Sequence, residues 1–255
     1  MTGRDRFSLD GKRALVTGAS RGLGRAMALA LAESGADVVC ASSKLGGAAE
    51  TVESICTLGR SAWGVHADLA KRDELAAMAD EAERVAGQID ILVNNGGSIA
   101  RYPAVDFPEN EWDRVIHTNL DSVFFLSQRL GRSMIERQAG KIINVASLLS
   151  FSGGITVPAY AASKHAVAGL TKALANEWAK HNVQVNAIAP GYFATDNTQR
   201  LRDNPQRFGE ISARIPAGRW GDPSDLAGAV VFLASAASDY VNGHVLVVDG
   251  GWMAR

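Results

Sequence analysis

The sequence has little cysteine, almost no net charge and no long apolar run, and each shortage closes off a class of protein. Two cysteines, Cys40 and Cys56, make neither a disulfide framework nor the paired spacing of a metal site. A reducing cytoplasm is the expected setting, and no metal is expected. Lys plus Arg number 26 against 27 Asp plus Glu, a net charge of −1, so the balance points to no nucleic acid and no membrane surface as partner. No stretch of 18 apolar residues could span a bilayer, and the first residues, "MTGRDRFSLDGKR", lack the apolar core of a signal peptide. Linkers, low-complexity tracts and internal repeats are missing too. What remains is small-molecule chemistry: 255 residues, 47% hydrophobic, can bury a sizeable core and suit one α/β domain over residues 1–255.

Short β-branched runs alternate with helical patterns of roughly 12–20 residues, the signature of βαβ units and a parallel sheet. Strands are predicted at 13–18, 37–42, 61–67, 89–94, 141–147, 183–189 and 244–250. Seven strands interleaved with helices predict a doubly wound open sheet. Ligands in such sheets sit outside the carboxyl ends of the strands.

The strand ends carry a consistent set of residues. After the first comes "TGASRGLG", where Gly18, Gly22 and Gly24 let the turn reverse tightly and let backbone N–H groups and a helix N-terminus face a pyrophosphate. A plain strand-to-helix connector would look similar. The third strand is followed by Asp68 and Leu69, with Asp68 suited either to an adenine amino group or to capping a helix. The fourth ends in "NNGG", in which Asn94, Gly96 and Gly97 allow a close backbone approach, as an ordinary Asn/Gly turn also would. The fifth ends at Ser147. In "APGYFAT" after the sixth, Pro190 and Gly191 redirect the chain and Thr195 can hydrogen-bond an amide.

Tyr160 and Lys164 stand four apart at the start of an apolar helix, so their side chains share one face. A cation there is expected to favour the phenolate and to lower the tyrosine pKa from its usual ~10. An exposed tyrosine beside a snorkelling lysine would satisfy the same spacing. His66, His117, His165 and His181 have no metal or triad spacing, and Trp63 and Trp178 fit core or interface roles.

Taken together, "TGASRGLG", "ADL", "NNGG", "TNL" at Asn119, Ser147, "YAASK" and "PGYFAT" resemble the short-chain dehydrogenase/reductase family in order and spacing over nearly the whole chain. One departure is Gly96, where the family usually has alanine; the extra glycine is expected to loosen that loop slightly. The resemblance implies a Rossmann-like fold and an NAD(P)-dependent oxidoreductase interconverting a secondary alcohol and a ketone. Tyr160 would donate the proton, Lys164 would lower its pKa and hold the nicotinamide ribose, Ser147 would orient the carbonyl, and Asn119 would hold a water in a proton relay. Cofactor contacts implied are Gly18, Ser20, Arg21, Gly22, Leu23, Gly24, Ser42, Ser43, Asp68, Leu69, Asn95, Gly96, Tyr160, Lys164, Pro190, Gly191 and Thr195. The segment at about 192–218, with a polar helix near 197–213 and a weak apolar stripe, would form a substrate lid.

From Lys141 onward the chain is similar to sugar-acid dehydrogenases of the 2-deoxy-D-gluconate 3-dehydrogenase type, also described as 2-dehydro-3-deoxy-D-gluconate 5-dehydrogenases. An acidic sugar needs a cation and hydroxyl partners. Arg101, Arg200, Arg202 and Arg219 are candidates for the first, and Ser150, Tyr192 and Thr198 for the second, with Ser147 and Tyr160 at the reacting carbon. A 3-oxoacyl-carrier-protein reductase shares the same motifs, and a nicotinamide-binding sensor without turnover is the alternative from another class. For cofactor choice, eighteen residues past Gly24 lies Ser42 rather than a carboxylate, and Ser43 and Lys44 follow. Arg21 can pair with a phosphate. NADP(H) is therefore expected over NAD(H). The apolar end "HVLVVDGGWMAR", with little sequence left to cover Trp252 and Met253, together with family habit predicts a homotetramer.

Overall fold

The computed structural model describes residues 5–255. Seven strands, β1 (Arg13–Thr17), β2 (Asp37–Ser42), β3 (Ala62–His66), β4 (Ile91–Asn94), β5 (Gly140–Val145), β6 (Val183–Pro190) and β7 (Val245–Val248), form one sheet in the order 3-2-1-4-5-6-7. Every pairing is parallel. Helices α1 (Gly22–Glu33), α2 (Ala49–Thr57), α3 (Arg72–Ala86), α4 (Glu109–Ile116), α5 (Ser122–Glu136), α6 (Pro158–Trp178), α7 (Gln199–Arg202), α8 (Pro205–Arg214) and α9 (Ala227–Ala234) connect them. The order of the strands reverses between β1 and β4, which opens a crevice at their carboxyl ends.

Side-chain alternation explains why the strands read as unbroken apolar runs. Val16, Val38, Val93 and Ile143 pack with Met27 and Leu31 of α1 and Val230 and Leu233 of α9. Their neighbours Leu15, Val39, Leu92 and Ile142 point the other way, onto Leu75 and Met78 of α3, Leu126 and Leu130 of α5 and Leu174 of α6. Each fully buried aliphatic chain contributes about 1.5–3 kcal/mol relative to exposure. A sheet covered on both faces is thereby the stable arrangement.

The predicted strands all occur, with ends shifted by a residue or two. The helical stretch around Asn119 is interrupted: α4 runs into a π-turn, His117–Asp121, before α5. The expected helix over 197–213 is broken as well. Asn204 caps the backbone N–H of Arg207 at 3.0 Å and Pro205 starts α8, so α7 and α8 are separate. Its stripe is not weak, because Ile211, Ile215 and Trp220 are buried together against Tyr192, Leu201 and Trp252. Trp252 thus has cover from its own chain, contrary to the expectation from sequence, while the four side chains of β7 at the sheet edge are only half-buried. Among the described residues no helix is long and apolar enough to cross a membrane.

Candidate active site

The crevice between β1 and β4 opens into a cleft of about 1560 Å³ along the carboxyl ends of the strands. Its floor is tied by Thr17, whose Oγ1 accepts from the N–H of Asn95 (3.0 Å) and of Gly96 (2.9 Å). Asn95 Nδ2 donates back to the carbonyl oxygens of Thr17 (2.9 Å) and Gly18 (3.3 Å). Sequence reasoning did not single out Thr17; its signal was a hydroxyl on the last residue of β1. Asn94, by contrast, is buried away from the cleft, donating to Ser127 and Asn144.

The glycine turn is shaped by close approach. A Cβ on Gly24 would lie 2.1 Å from the Gly18 carbonyl oxygen, and Gly18 (φ +65°) and Gly22 (φ +55°) take backbone conformations that side chains disfavour. No side chain caps α1, so its first N–H groups lack an intrachain side-chain partner. Over Gly22 a Cβ would meet only the Thr195 side chain, at 3.7 Å, so the cradle is open to a ligand. A helix N-terminus, an open glycine and flanking Ser20 and Leu23 fit the pyrophosphate of a dinucleotide.

All the residues expected to contact cofactor line this one cleft. Asp68 accepts from the N–H of Ala70 at 3.0 Å in a local turn rather than capping α3, whose N-cap is Lys71 with no side-chain cap, and Asp68 lines the cleft. Ser42 is buried with its hydroxyl on the Lys44 carbonyl (2.8 Å), and the cleft at this strand end is lined by Ala41, Ser42 and Ser43, with no carboxylate. Arg21 Nε lies 3.2 Å from Asp196 Oδ2, both side chains largely exposed. Thr195 packs over the glycine turn, and Pro190 and Gly191 border it. At Gly96 a neighbouring side chain fills the gap left by the glycine. The space of the missing Cβ is taken by Leu69, whose Cδ1 stands 2.3 Å from where that Cβ would be.

Tyr160, Lys164 and Ser147 meet at the centre of the cleft. Pro158 at the first position starts α6, and Lys164 sits one turn past Tyr160, almost fully buried, with Nζ donating to the Val145 carbonyl oxygen at 2.6 Å. Its Nζ is 5.6 Å from the centre of the Tyr160 ring. Burial brings the Lys164 pKa down to about 8. The expected lowering of the Tyr160 pKa is reversed: burial of the phenol pushes it up, and a hydrogen bond from Ser147 and the Arg101 guanidinium only partly counter this. Lys164 is aimed at a carbonyl rather than at the phenolic oxygen, so the i,i+4 spacing brings the groups together without making the phenolate favourable.

Asn119 is fully buried in the π-turn. Its Nδ2 donates to the Ser98 carbonyl oxygen (2.9 Å) and to Ser163 Oγ (3.1 Å), and its Oδ1 accepts from the Ser98 N–H (2.8 Å). Ser163 Oγ in turn donates to the Tyr160 carbonyl oxygen at 2.8 Å. The amide braces the loop after β4 against α6, outside the cleft lining.

Of the substrate candidates, Arg101, Tyr192 and Thr198 line the cleft. Arg101 Nη1 is buried without a hydrogen-bond partner. The Thr198 hydroxyl is engaged by the Phe193 carbonyl oxygen at 2.6 Å. Ser150 does not reach the cleft: it is buried behind Ser147, donating to the Lys164 carbonyl oxygen at 2.6 Å and accepting from the Ser147 N–H at 3.3 Å. Arg200 is exposed outside the cleft, Arg202 donates to Thr195 and Gln199, and Arg219 forks onto Asp225 at 2.6 and 2.8 Å. Sequence reasoning missed Arg207 and Arg214 of α8 and Trp252, which do line it. Nothing local distinguishes them, since they arrive by the packing of α8 and the C-terminal Trp252 in one aromatic cluster.

The family model adh_short_C2, described as enoyl-(acyl carrier protein) reductase, matches residues 18–253. The chain is 56% identical over 250 residues to the 2-dehydro-3-deoxy-D-gluconate 5-dehydrogenase of Escherichia coli K12, covering 98% of each. It is 55% identical over 251 residues to the enzyme of the same name from Bacillus subtilis 168, again covering 98% of each. A gluconate 5-dehydrogenase from Burkholderia cenocepacia, solved with NADP and tartrate, superposes with a TM-score of 0.95 at 43% identity, covering 99% of both chains.

Proposed function

Since this chain belongs to the short-chain dehydrogenase/reductase family, we propose that it is an NAD(P)-dependent oxidoreductase interconverting a secondary alcohol and a ketone on a deoxy sugar acid, of the 2-dehydro-3-deoxy-D-gluconate or 2-deoxy-D-gluconate type. The observation that carries this reading is the convergence of Tyr160, Ser147 and Lys164 in the same cleft as the glycine turn, with burial holding the phenol pKa up so that it keeps its proton. A bound nicotinamide supplies or accepts the hydride at the carbinol carbon. Tyr160 gives its proton to the carbonyl oxygen in reduction and takes it back in oxidation, an effect of about 10²–10⁴-fold. Ser147 orients that oxygen, and Lys164, buried between Val145 and the ring, is the group to hold the ribose. Asn119 acts as a positioning residue through Ser98 and Ser163. The buried, unpartnered Nη1 of Arg101 suits an oxygen of an acidic sugar close to the reacting centre.

The cofactor reading is NADP(H) over NAD(H). It rests on the missing carboxylate at Ser42 and on Arg21 at the turn. The residues at about 192–218 act as a lid, the half-buried edge strand β7 is a surface for a second copy in a homotetramer, and the cytoplasm is the setting. The deciding experiment is turnover of 2-dehydro-3-deoxy-D-gluconate with NADP+ and with NAD+, beside reduction of an acetoacetyl thioester. Turnover of the thioester alone would move the assignment to a 3-oxoacyl-carrier-protein reductase. Turnover of none of a panel of carbonyl and alcohol substrates, with cofactor bound, would leave a sensor.

A further inference from the structure

Among the described residues six arginines line the cleft, and all but two have a protein partner for their guanidinium there. Arg21 pairs with Asp196, Arg114 with Glu111, Arg207 with Glu210, and Arg255 donates to the Ala213 carbonyl oxygen. Arg101 stands by Tyr160, where its charge is felt by the phenol. Arg214, at the end of α8, has no hydrogen-bond or ion-pair partner among the described residues. Its guanidinium carbon lies 4.1 Å from the centre of the Trp252 ring.

That stack is built rather than incidental. Trp252 is itself held by Tyr192, with ring centroids 4.7 Å apart, and Tyr192 packs edge-on against Trp220 at 5.3 Å. Trp220 donates its indole N–H to Ser212 at 2.9 Å and stacks on Phe208 at 5.7 Å, so α8 is anchored two residues before Arg214. A cation at a helix C-terminus is favourable by itself. The dipole does not, however, require an aromatic platform or a place in the cleft. Stacking on the ring face orients a guanidinium plane and leaves its edge N–H groups for a planar bidentate acceptor.

We propose that Arg214, presented on the Trp252 platform, is the receptor for the substrate carboxylate and so the residue that selects acids over neutral sugars. This rests on the sugar-acid reading of the cleft. In a 2-dehydro-3-deoxy-gluconate oxidised at C5, the carboxylate and the reacting carbon lie at opposite ends of the chain. One cation beside Tyr160 cannot serve both ends, and Arg214 supplies the second from the lid. Because α8 carries it, binding of an acid also fastens the lid.

The test compares 2-dehydro-3-deoxy-D-gluconate with its neutral C1 carboxamide in the wild type, Arg214→Gln, Arg214→Lys and Trp252→Leu. For Arg214→Gln the KM for the acid is expected to rise about 10- to 100-fold with kcat little changed, while kcat/KM for the carboxamide and NADP+ affinity stay near wild type. Arg214→Lys, which keeps charge without the planar fork, should fall between, and Trp252→Leu should raise the same KM less. Equal losses on acid and amide, or no loss on either, in Arg214→Gln would overturn the proposal while wild-type turnover of the acid left the sugar-acid reading intact. If Arg214→Gln fails to fold, judged by lost NADP+ binding, Trp252→Leu decides by the same ratio. A wild type that turns over neither compound would remove the sugar-acid reading, and this inference with it.

Discussion

Lys164 directs its ammonium to the Val145 carbonyl oxygen, 2.6 Å away, while standing 5.6 Å from the centre of the Tyr160 ring. The helix supplies the vertical alignment of the two side chains, but β5 decides where the charge goes. Both groups are consequently shifted toward their neutral forms by burial, the lysine downward and the tyrosine upward.

The lysine shift makes stability depend on pH in a defined window. Folded Lys164 titrates at about 8, against about 10.4 for an unfolded lysine. Between those values the unfolded chain binds more protons, so stability rises with pH there. Below about 8 the full cost of a buried ammonium is present, and above about 10.4 it is gone. Melting temperatures of the apo wild type and Lys164→Met, followed through this range, should move relative to each other in favour of the wild type. A constant difference across it would contradict the buried-ammonium account.

Replacing Tyr160 with Phe keeps the ring and removes the acid. Turnover should fall at least about 100-fold, with cofactor still bound. Retention of more than about a tenth of wild-type kcat in steady-state assays would remove Tyr160 from the role of proton donor.

Arg101 pulls the Tyr160 pKa down against the effect of burial. Alcohol oxidation needs the phenol to accept a proton, so its rate climbs as pH approaches the phenol pKa. Arg101→Gln should displace that climb to higher pH, which a kcat profile for oxidation would register. A profile that scales down without moving would mean that Arg101 acts on binding alone.

Cofactor preference should follow the end of β2 and the glycine turn. The wild type is expected to use NADP+ with higher kcat/KM than NAD+, and Arg21→Ala and Ser42→Asp should each shrink that ratio. Asp196→Asn frees Arg21 from an exposed ion pair worth about 0–1 kcal/mol, so the ratio should rise by no more than about fivefold. An NADH-preferring enzyme indifferent to all three changes would show that this edge does not read the phosphate.

The two glycines at the cleft floor should respond differently to alanine. At Gly24 the new methyl would strike the Gly18 backbone oxygen, which cannot move without undoing the turn, a cost of at least about 1–3 kcal/mol with loss of cofactor binding. At Gly96 the obstacle is the end of the Leu69 side chain, which can rotate, so the cost should stay below about 1.5 kcal/mol. Urea denaturation of both variants checks the order, and equal losses would mean that Leu69 is as fixed as backbone.

The sequence by itself determined what local spacing can determine: seven strands, a glycine turn opening a helix, and Tyr160 and Lys164 one turn apart on a single face. These are short-range properties, set by side-chain alternation in strands and by the helical repeat. The strand order, the meeting of Ser147 with Tyr160, and the turning of Ser150 back onto Lys164 were decided only by the tertiary structure. So were the pKa shifts, because desolvation depends on everything packed around a group and not on its neighbours in the chain. Arg219 and Arg214 illustrate the difference. The two arginines are five residues apart in the sequence, yet a carboxylate from Asp225 occupies the first, while the tail returns Trp252 beneath the second and leaves its charge facing the cleft.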